Sequence, residues 1–559
     1  MTSGLSGFKP SGKSDLKLLL AESVQYIEQV RAYLADPSFS AREELRHKVA
    51  YINSLAMMVR HQTFDREQQA GHDETGRRYY HGLAAITNRL SRIVELALNV
   101  VNQSAYLSRP DFLDDYELDD FFEEIDLGLN LIIPALRQGK LKIVARLCRL
   151  EEKLDAHYAE RFTRLIRELD QGRGQHGDRV TTLMVVHYLE RIGDLLLEIG
   201  EEMIYIILGQ NIKFSQFQAL GRGLKASGSQ QKWLDKAEHF QTIAGGRSGC
   251  SIGVVGGDEV GEMAGEAVIF KHGPVEKMEK EKDNLAIWHE LWPGLPPAVK
   301  AFVPGQKENE AGLVLEYIPG PTLKDMFMGK EPDRNALKEL TRAMHIIGGL
   351  WRETRVETTT GAGFVRQADK RLGPVRALHP ELVGFSGQVG GLKIKPLAAL
   401  LEEARELERG LRAPFTVRIH GDFNLSNIMI DARNGKHRFI DLYRSRCYDY
   451  VQDVSVMILS LLRLPLTDAA DRTRLSEAAE LVYTFALDFA AAAQDPTFSA
   501  RLAFGLARSY LTSARFEIRR PAAARFIGYS RYLWETLTKY GQSGQPWENF
   551  KLNKKTLYI

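Results

Sequence analysis

The sequence predicts a multidomain protein: an all-α N-terminal half built as two tandem three-helix bundles, then a C-terminal α+β half in two lobes. Three observations predict it. Residues 14–212 carry apolar residues at helical spacing, almost no strand pattern and only three prolines (Pro37, Pro110, Pro134). The string LSRIVEL at 90–96 lines up with LERIGDL at 189–195, a weak internal repeat with a period of 99 residues. From about residue 238, short apolar runs bounded by Gly and Pro alternate with helical stretches.

At 559 residues the chain is too long for one core, and three or four folding units are expected. With 44% hydrophobic and 26% charged residues the composition is that of a globular protein, and a net charge of +2 gives no field directed at nucleic acid. Cys148, Cys250 and Cys447 lie far apart, without the spacing of a zinc site or a disulfide scaffold, which fits a reducing cytoplasm. The N-terminus has no uninterrupted apolar run of the signal-peptide kind. The longest apolar run, 454–466, is interrupted by Ser455, Ser460, Arg463 and Pro465, too short and polar to span a bilayer. A cytoplasmic location is the expectation.

Helical periodicity covers 16–34, 41–60, 76–107, 116–136, 141–169 and 178–208. Turn signals separate these runs, at Asp36-Pro37-Ser38, Arg109-Pro110-Asp111, Gln138-Gly139 and Gly172-Arg173-Gly174. Short loops between long helices imply antiparallel bundles, giving a helical domain over 14–212. Residues 213–237 are polar and bear Gly and Ser, and read as a linker. A mixed domain follows over 238–545. It opens on a Gly-rich turn with Gly245, Gly246 and Gly249, followed by strand patterns at 251–255, 267–271 and 312–318, with a helix over 275–291 before the last of these. After the strands around residues 428–440 the chain is helical again to about Tyr540.

The chemistry lies in HGDFNLSN at 420–427, followed by the apolar run IMI and then FIDLY, which places Asp441 at the end of a second short strand. Phosphoryl transfer from a nucleotide needs one carboxylate to orient the attacking hydroxyl, and an amide with a second carboxylate to hold Mg²⁺ across the phosphates. The HxDxxxxN…D spacing supplies Asp422 for the first task and Asn427 and Asp441 for the second, the pattern of the protein-kinase-like fold. Glycines 245, 246 and 249 can let backbone N–H groups approach phosphates. Lys271 ends an apolar strand from which an ammonium can reach the α/β-phosphates. Glu281, in the next helix, is the candidate partner of Lys271, with Glu276 and Glu279 as rivals. Glu316 to Ile318 reads as a hinge whose backbone would meet the adenine edge.

The strings AGGRSG, AVIFK, LVLEYIPG, HGDFNLSN, FIDLY and YDYVQDVS resemble the aminoglycoside phosphotransferase and choline kinase family across nearly the whole C-terminal half. The resemblance implies that Asp422 is the catalytic base, that Asn427 and Asp441 bind Mg²⁺, that Lys271 with Glu281 positions ATP, and that Asp453 and His420 brace the loop. Gly421 stands where a regulated protein kinase carries Arg, and only eleven residues separate Asp441 from Asp453, so there is no room for a peptide-docking activation segment. A small molecule with a hydroxyl acceptor is expected. From residue 496 to 559 there are 11 Lys/Arg against 3 Glu, either a basic wall suited to an anionic acceptor or a solvated basic tail.

The string HYLERIGD at 187–194 resembles the sixth-helix signature of the PhoU family of phosphate-regulatory proteins, and the resemblance covers about 14–212. It implies a second metal set, for a divalent or iron ion, on Glu190 and Asp194, which share a helix face at i and i+4, with Glu151, Glu152 and Asp155 of the preceding helix able to face them. In the first repeat Ser91 replaces the expected Glu, Glu95 the Asp, and Asn53 and Ala56 stand opposite Glu152 and Asp155, so the first such site is lost. The resemblance also implies a protein partner, a transporter or sensor kinase, and leaves assembly of identical chains open. Two functions follow: an ATP- and Mg²⁺-dependent small-molecule phosphotransferase with a PhoU-like regulatory module, or a non-catalytic nucleotide-sensing adaptor in phosphate-related signalling or transport regulation.

Overall fold

The computed structural model of the chain describes residues 13–70, 73–172, 174–209, 211–226, 240–245, 251–255, 267–305, 309–329, 335–389, 392–466 and 468–558. It divides into two compact units, one from residues 1–273 with 301–314 and the other from 274–300 with 315–559.

The first unit contains the predicted bundles: α1 Lys13–Ala35, α2 Phe39–Gln69 and α3 Glu74–Ser104, then α4 Asp119–Gln138, α5 Leu141–Asp170 and α6 His176–Leu208. Within each repeat the third helix packs on the second, and α3 also packs directly on α6. The third helices therefore face each other, and the two repeats share one continuous core through residues such as Ile86, Leu90, Ile93, Leu189, Ile192 and Leu196. Gly193 lets the helices pack closely, since a Cβ there would stand 2.9 Å from a Leu154 methyl.

The linker reading of 213–237 does not hold at its start, because Phe214–Ala226 forms helix α7. Its Phe214, Phe217, Leu220 and Leu224 are buried. They recur at helical spacing, and that apolar face outweighs the glycines and serine taken as signs of flexibility. Gly223 is there because the helix lies against a strand, where a Cβ would meet a Val314 methyl at 2.6 Å. Residues 227–237 lie outside the described residues.

The strand partnered by α7 belongs to a five-stranded sheet of β1 Phe240–Gly245, β2 Ser251–Val255, β3 Val268–Pro274, β4 Val299–Pro304 and β5 Glu310–Glu316, in spatial order β1-β2-β3-β5-β4. β1–β2 and β2–β3 are antiparallel, with Lys271 opposite Ile252. Phe270, Ala301 and Val314 join the same core as the helices. The expected boundary near residue 238 is thus not a structural one: α7 and the sheet are packed into the helical unit.

Among the described residues of the second unit, helix α8 (Val275–Leu291) is followed by short antiparallel strand pairs and seven further helices of at least twelve residues, among them Phe364–Leu378, Val451–Leu462 and Phe498–Ala514. Strand Val417–Ile419 pairs with Arg446–Tyr448, and Ile428–Ile430 pairs with His437–Phe439. Helix Val451–Leu462 is buried almost all round, with Val451, Val454, Met457, Ile458, Leu461 and Leu462 inaccessible. No described helix is long and apolar enough to cross a membrane.

Candidate active site

The loop 420–427 runs between strands Val417–Ile419 and Ile428–Ile430, and its shape is set from below by helix Val451–Leu462. The buried Asp453 carboxylate accepts the N–H of His420 at 2.7 Å and of Gly421 at 2.8 Å, and Gln452 Nε2 donates to the Gly421 carbonyl at 2.9 Å. Burial pushes the Asp453 carboxyl up to about 7, against the pull of those two amides. Gly421 has φ +86°, and a Cβ there would stand 2.4 Å from the Arg444 carbonyl, so the position excludes the arginine that regulated protein kinases carry.

The His420 side chain is inaccessible and packs among Trp288, Phe423 and Phe439. Its Nδ1 accepts the Asp422 N–H at 3.3 Å, and burial pushes the imidazole down to about 4, so it is neutral near pH 7. A neutral, enclosed ring braces the loop.

Asp422 is partly open, its side chain 24% exposed. Oδ1 accepts from Asn424 Nδ2 at 3.2 Å and Oδ2 pairs with Arg444 Nη1 at 2.9 Å. Asn427 Nδ2 donates to the Asp422 carbonyl at 2.9 Å, which leaves the amide oxygen as its remaining donor atom for a cation. Asp441 follows strand His437–Phe439 in the left-handed region, φ 64° and ψ 53°, a conformation costly for a residue with a Cβ and concentrated at functional sites. A carboxylate and an amide oxygen are hard donors that fit Mg²⁺.

Of the three glutamates considered for Lys271, Glu276 and Glu279 are exposed, and Glu276 pairs with Lys280; Glu281 is buried. Glu281 shares a face of α8 with Asn284, which donates to the Leu442 carbonyl at 2.9 Å, and Trp288, which donates to Ser445 Oγ at 2.7 Å. Lys271 is buried in β3 of the first unit. Gly245 ends β1 opposite Ser251, and Gly246 and Gly249 lie outside the described residues.

The hinge reading meets a side-chain network. Glu316 pairs with Arg438 at 2.6 Å and Arg433 at 3.0 Å, and both arginines pair with the inaccessible Asp431. Burial works to raise the Glu316 pKa, but the hydrogen bonds from Arg438, the Ala298 amide and Arg433 outweigh it and hold the group below its ordinary value. The Glu316 N–H itself donates to the Ala298 carbonyl at 2.9 Å, and Ile318 is buried.

In the helical unit, Glu190 lies among Asp194, Asp155 and Glu151; burial, then those three neighbours, push it up to about 7, with Arg191 opposing. Glu152 turns elsewhere, accepting from Gln218 of α7 at 3.3 Å. Among the described residues no group of three or more His, Cys, Asp or Glu side chains is arranged to hold a metal ion, so the ion expected on Glu190, Asp194, Glu152 and Asp155 has no support. At the corresponding place in the first repeat, Ser91 Oγ and Asn53 Oδ1 form a hydrogen bond at 2.6 Å, a neutral contact where the sequence anticipated a lost site.

Sequence reasoning did not single out Arg444, three residues after Asp441, or the buried set Asp449–Arg501–Asp495, in which Arg501 pairs with both carboxylates.

Residues 264–492 match the family model of the phosphotransferase enzyme family, and residues 118–203, within the second helical repeat, match the PhoU domain model. No curated protein sequence matches the chain. Solved structures similar to parts of it include PhoU from Pseudomonas aeruginosa (14% identity, 36% of this chain and 96% of that one, TM-score 0.33). Aminoglycoside phosphotransferase APH(3'')-Id from Streptomyces rimosus aligns at 16% identity over 58% of this chain and 99% of that one, TM-score 0.32. An ethanolamine kinase from Plasmodium vivax aligns at 12% identity over 61% and 94%, TM-score 0.35. The C-terminal half thus resembles the aminoglycoside phosphotransferase family and the N-terminal half the PhoU family, a phosphotransferase-like domain joined to a PhoU-like helical domain.

Proposed function

We propose that the protein transfers the γ-phosphoryl group of ATP to the hydroxyl of a small molecule, with Mg²⁺, and that the helical half regulates this activity through a protein partner such as a transporter or sensor kinase. The observation that carries the reading is the catalytic loop: a partly open Asp422 carboxylate on a backbone fixed by Asp453, with the Asn427 amide oxygen left for a cation. Asp422 orients the acceptor hydroxyl and takes its proton. Asn427 and Asp441 would hold Mg²⁺, which when bound neutralises charge on the phosphates. Lys271, with Glu281, is proposed to position the nucleotide, the glycines at 245, 246 and 249 to approach its phosphates, and the backbone of Glu316 to Ile318 to meet its adenine edge.

The test incubates the protein with ATP, Mg²⁺ and a metabolite extract and looks for a small molecule that gains one phosphate. Wild type should produce it. Asp441→Ala should lose both the product and Mg²⁺-dependent nucleotide binding. A product formed equally by Asp441→Ala would remove that residue from the mechanism.

A further inference from the structure

One arginine pairs with the Asp422 carboxylate and two more, from a separate segment, lie within its electrostatic reach. Arg444 pairs with it at 2.9 Å and lies over the Tyr443 ring, 4.9 Å from its centroid. Arg508 and Arg515, from and just after helix Phe498–Ala514, are both acted on electrostatically by Asp422 and by Arg444. Arg508 is 8% exposed; its Nη2 donates to Ser455 Oγ at 3.3 Å, and its Nε is buried with no hydrogen-bond partner among the described residues. The Arg515 Nε is likewise buried and unpartnered among the described residues.

The cluster is short of negative charge. Of the carboxylates that act on these arginines, Asp422 and Asp441 are assigned to the reaction. Glu408 is already engaged, its oxygens accepting the N–H groups of Phe364 and Val365 at the start of helix Phe364–Leu378. A guanidinium buried without a full set of acceptors is costly, and the cost falls when an oxyanion enters. Burial pushes the Arg508 guanidinium down to about 10, which agrees with incomplete compensation. Three other basic residues of the C-terminal region are engaged elsewhere: Arg501 with Asp449 and Asp495, Arg519 with Glu517, Lys554 with Glu480.

We infer that the acceptor is an anionic alcohol, a hydroxyl-bearing phosphate ester or hydroxycarboxylate, whose oxyanion is held by Arg508, Arg515 and Arg444 while its hydroxyl meets Asp422. The inference rests on the phosphotransferase reading and narrows its substrate class. Guanidinium forks bind carboxylate and phosphate oxygens in pairs, and a cationic amino alcohol meets like charge in the same place. In the transfer, the hydroxyl oxygen forms a bond to the γ-phosphorus as the bond from that phosphorus to the β–γ bridging oxygen breaks. The hydroxyl proton passes to Asp422 and ADP leaves.

The experiment measures ATP-dependent phosphorylation with Mg²⁺ on matched alcohols: sugars and polyols, their phosphate monoesters, their carboxylates, and amino alcohols. The anionic members should exceed their neutral and cationic counterparts in kcat/KM by roughly tenfold or more, and the phosphate and carboxylate arms identify which oxyanion is used. Arg515→Gln, half-buried and so the safer substitution, should raise the KM for the anionic acceptor by roughly tenfold, more than it lowers kcat, with the KM for ATP unchanged. Arg508→Gln should act in the same direction. Equal or better turnover of neutral or amino alcohols, or an unchanged acceptor KM in Arg515→Gln, would overturn the inference. If wild type phosphorylates no alcohol, the phosphotransferase reading fails instead, and inorganic phosphate then probes the anion site alone. A saturable rise in Tm with phosphate that is lost in Arg515→Gln supports the site; no rise, or the same rise in both proteins, overturns it.

Discussion

Carboxylates are treated differently around loop 420–427 and on the second helical repeat. Around the catalytic loop each buried one has a defined partner: Asp453 takes two backbone amides, Asp431 takes Arg433 and Arg438, and Asp449 and Asp495 share Arg501. On the second helical repeat Glu190 lies among the like charges of Asp194, Asp155 and Glu151, with Arg191 on Asp194 at 2.6 Å and His187 beside Glu190 at 3.2 Å. The difference follows from access to water. The partly exposed Asp194 is screened by solvent, whereas burial raises Glu190 toward its neutral form, and a fully enclosed charge must be matched or neutralised. The contrast is between these two places, since elsewhere in the first unit the buried Asp178 is matched by the N–H and hydroxyl of Ser108 and the buried Arg161 by Asp120.

The largest effect expected from this contrast is at Arg501. Arg501→Ala leaves two inaccessible carboxylates facing each other and should cost about 3–5 kcal/mol, read as a lower midpoint for the C-terminal transition in denaturant. A loss below about 1 kcal/mol would mean that the set is not charged as drawn. Next comes Asp453. Asp453→Ala strands two buried amides and should cost roughly 2–4 kcal/mol. It should also lower turnover by at least roughly tenfold, because the loop that carries Asp422 is no longer fixed. Unchanged turnover in a folded variant would show that the loop holds its shape without that carboxylate.

The smallest effect belongs to Glu190 and is a dependence on pH. Its folded pKa of about 7 lies above the ordinary glutamate value of 4.5, so between those pH values the folded state binds more protons than the unfolded one. Stability from this group is present below about pH 4.5 and is lost as pH rises through about 7. Glu190→Gln removes the loss. The variant should gain on wild type, by less than about 1 kcal/mol given its exposure, on going from pH 5 to pH 8. A constant difference across that range would show that neither burial nor the acidic neighbours raise Glu190.

These contrasts also explain what could be read from the sequence. The six long helices were legible because their apolar spacing is local, and Asp422, Asn427 and Asp441 could be proposed together because they lie within twenty-two residues (420–441) of motif. Helix α7 was hidden by its glycines and serine, although Phe214, Phe217, Leu220 and Leu224 carried the signal. Its contact with Val314 was not legible at all, since that contact is what joins sheet to bundle. Glu281 was named ahead of Glu276 and Glu279 from sequence, but its burial follows from the phase of α8 against residues 442–445, which sequence does not give. The arginines around Asp422 come from residues 444, 508 and 515, and Arg501 joins residues 449 and 495. Convergence of that kind leaves no spacing to recognise.

The most direct measurement compares wild type with Asp422→Ala for both Mg²⁺–ATP affinity and phosphorylated product. Substitution of the proposed base should lower product formation by at least roughly a hundredfold and leave nucleotide affinity within about threefold of wild type. Equal product formation by the two proteins would contradict the assignment of Asp422 as the group that receives the acceptor's proton.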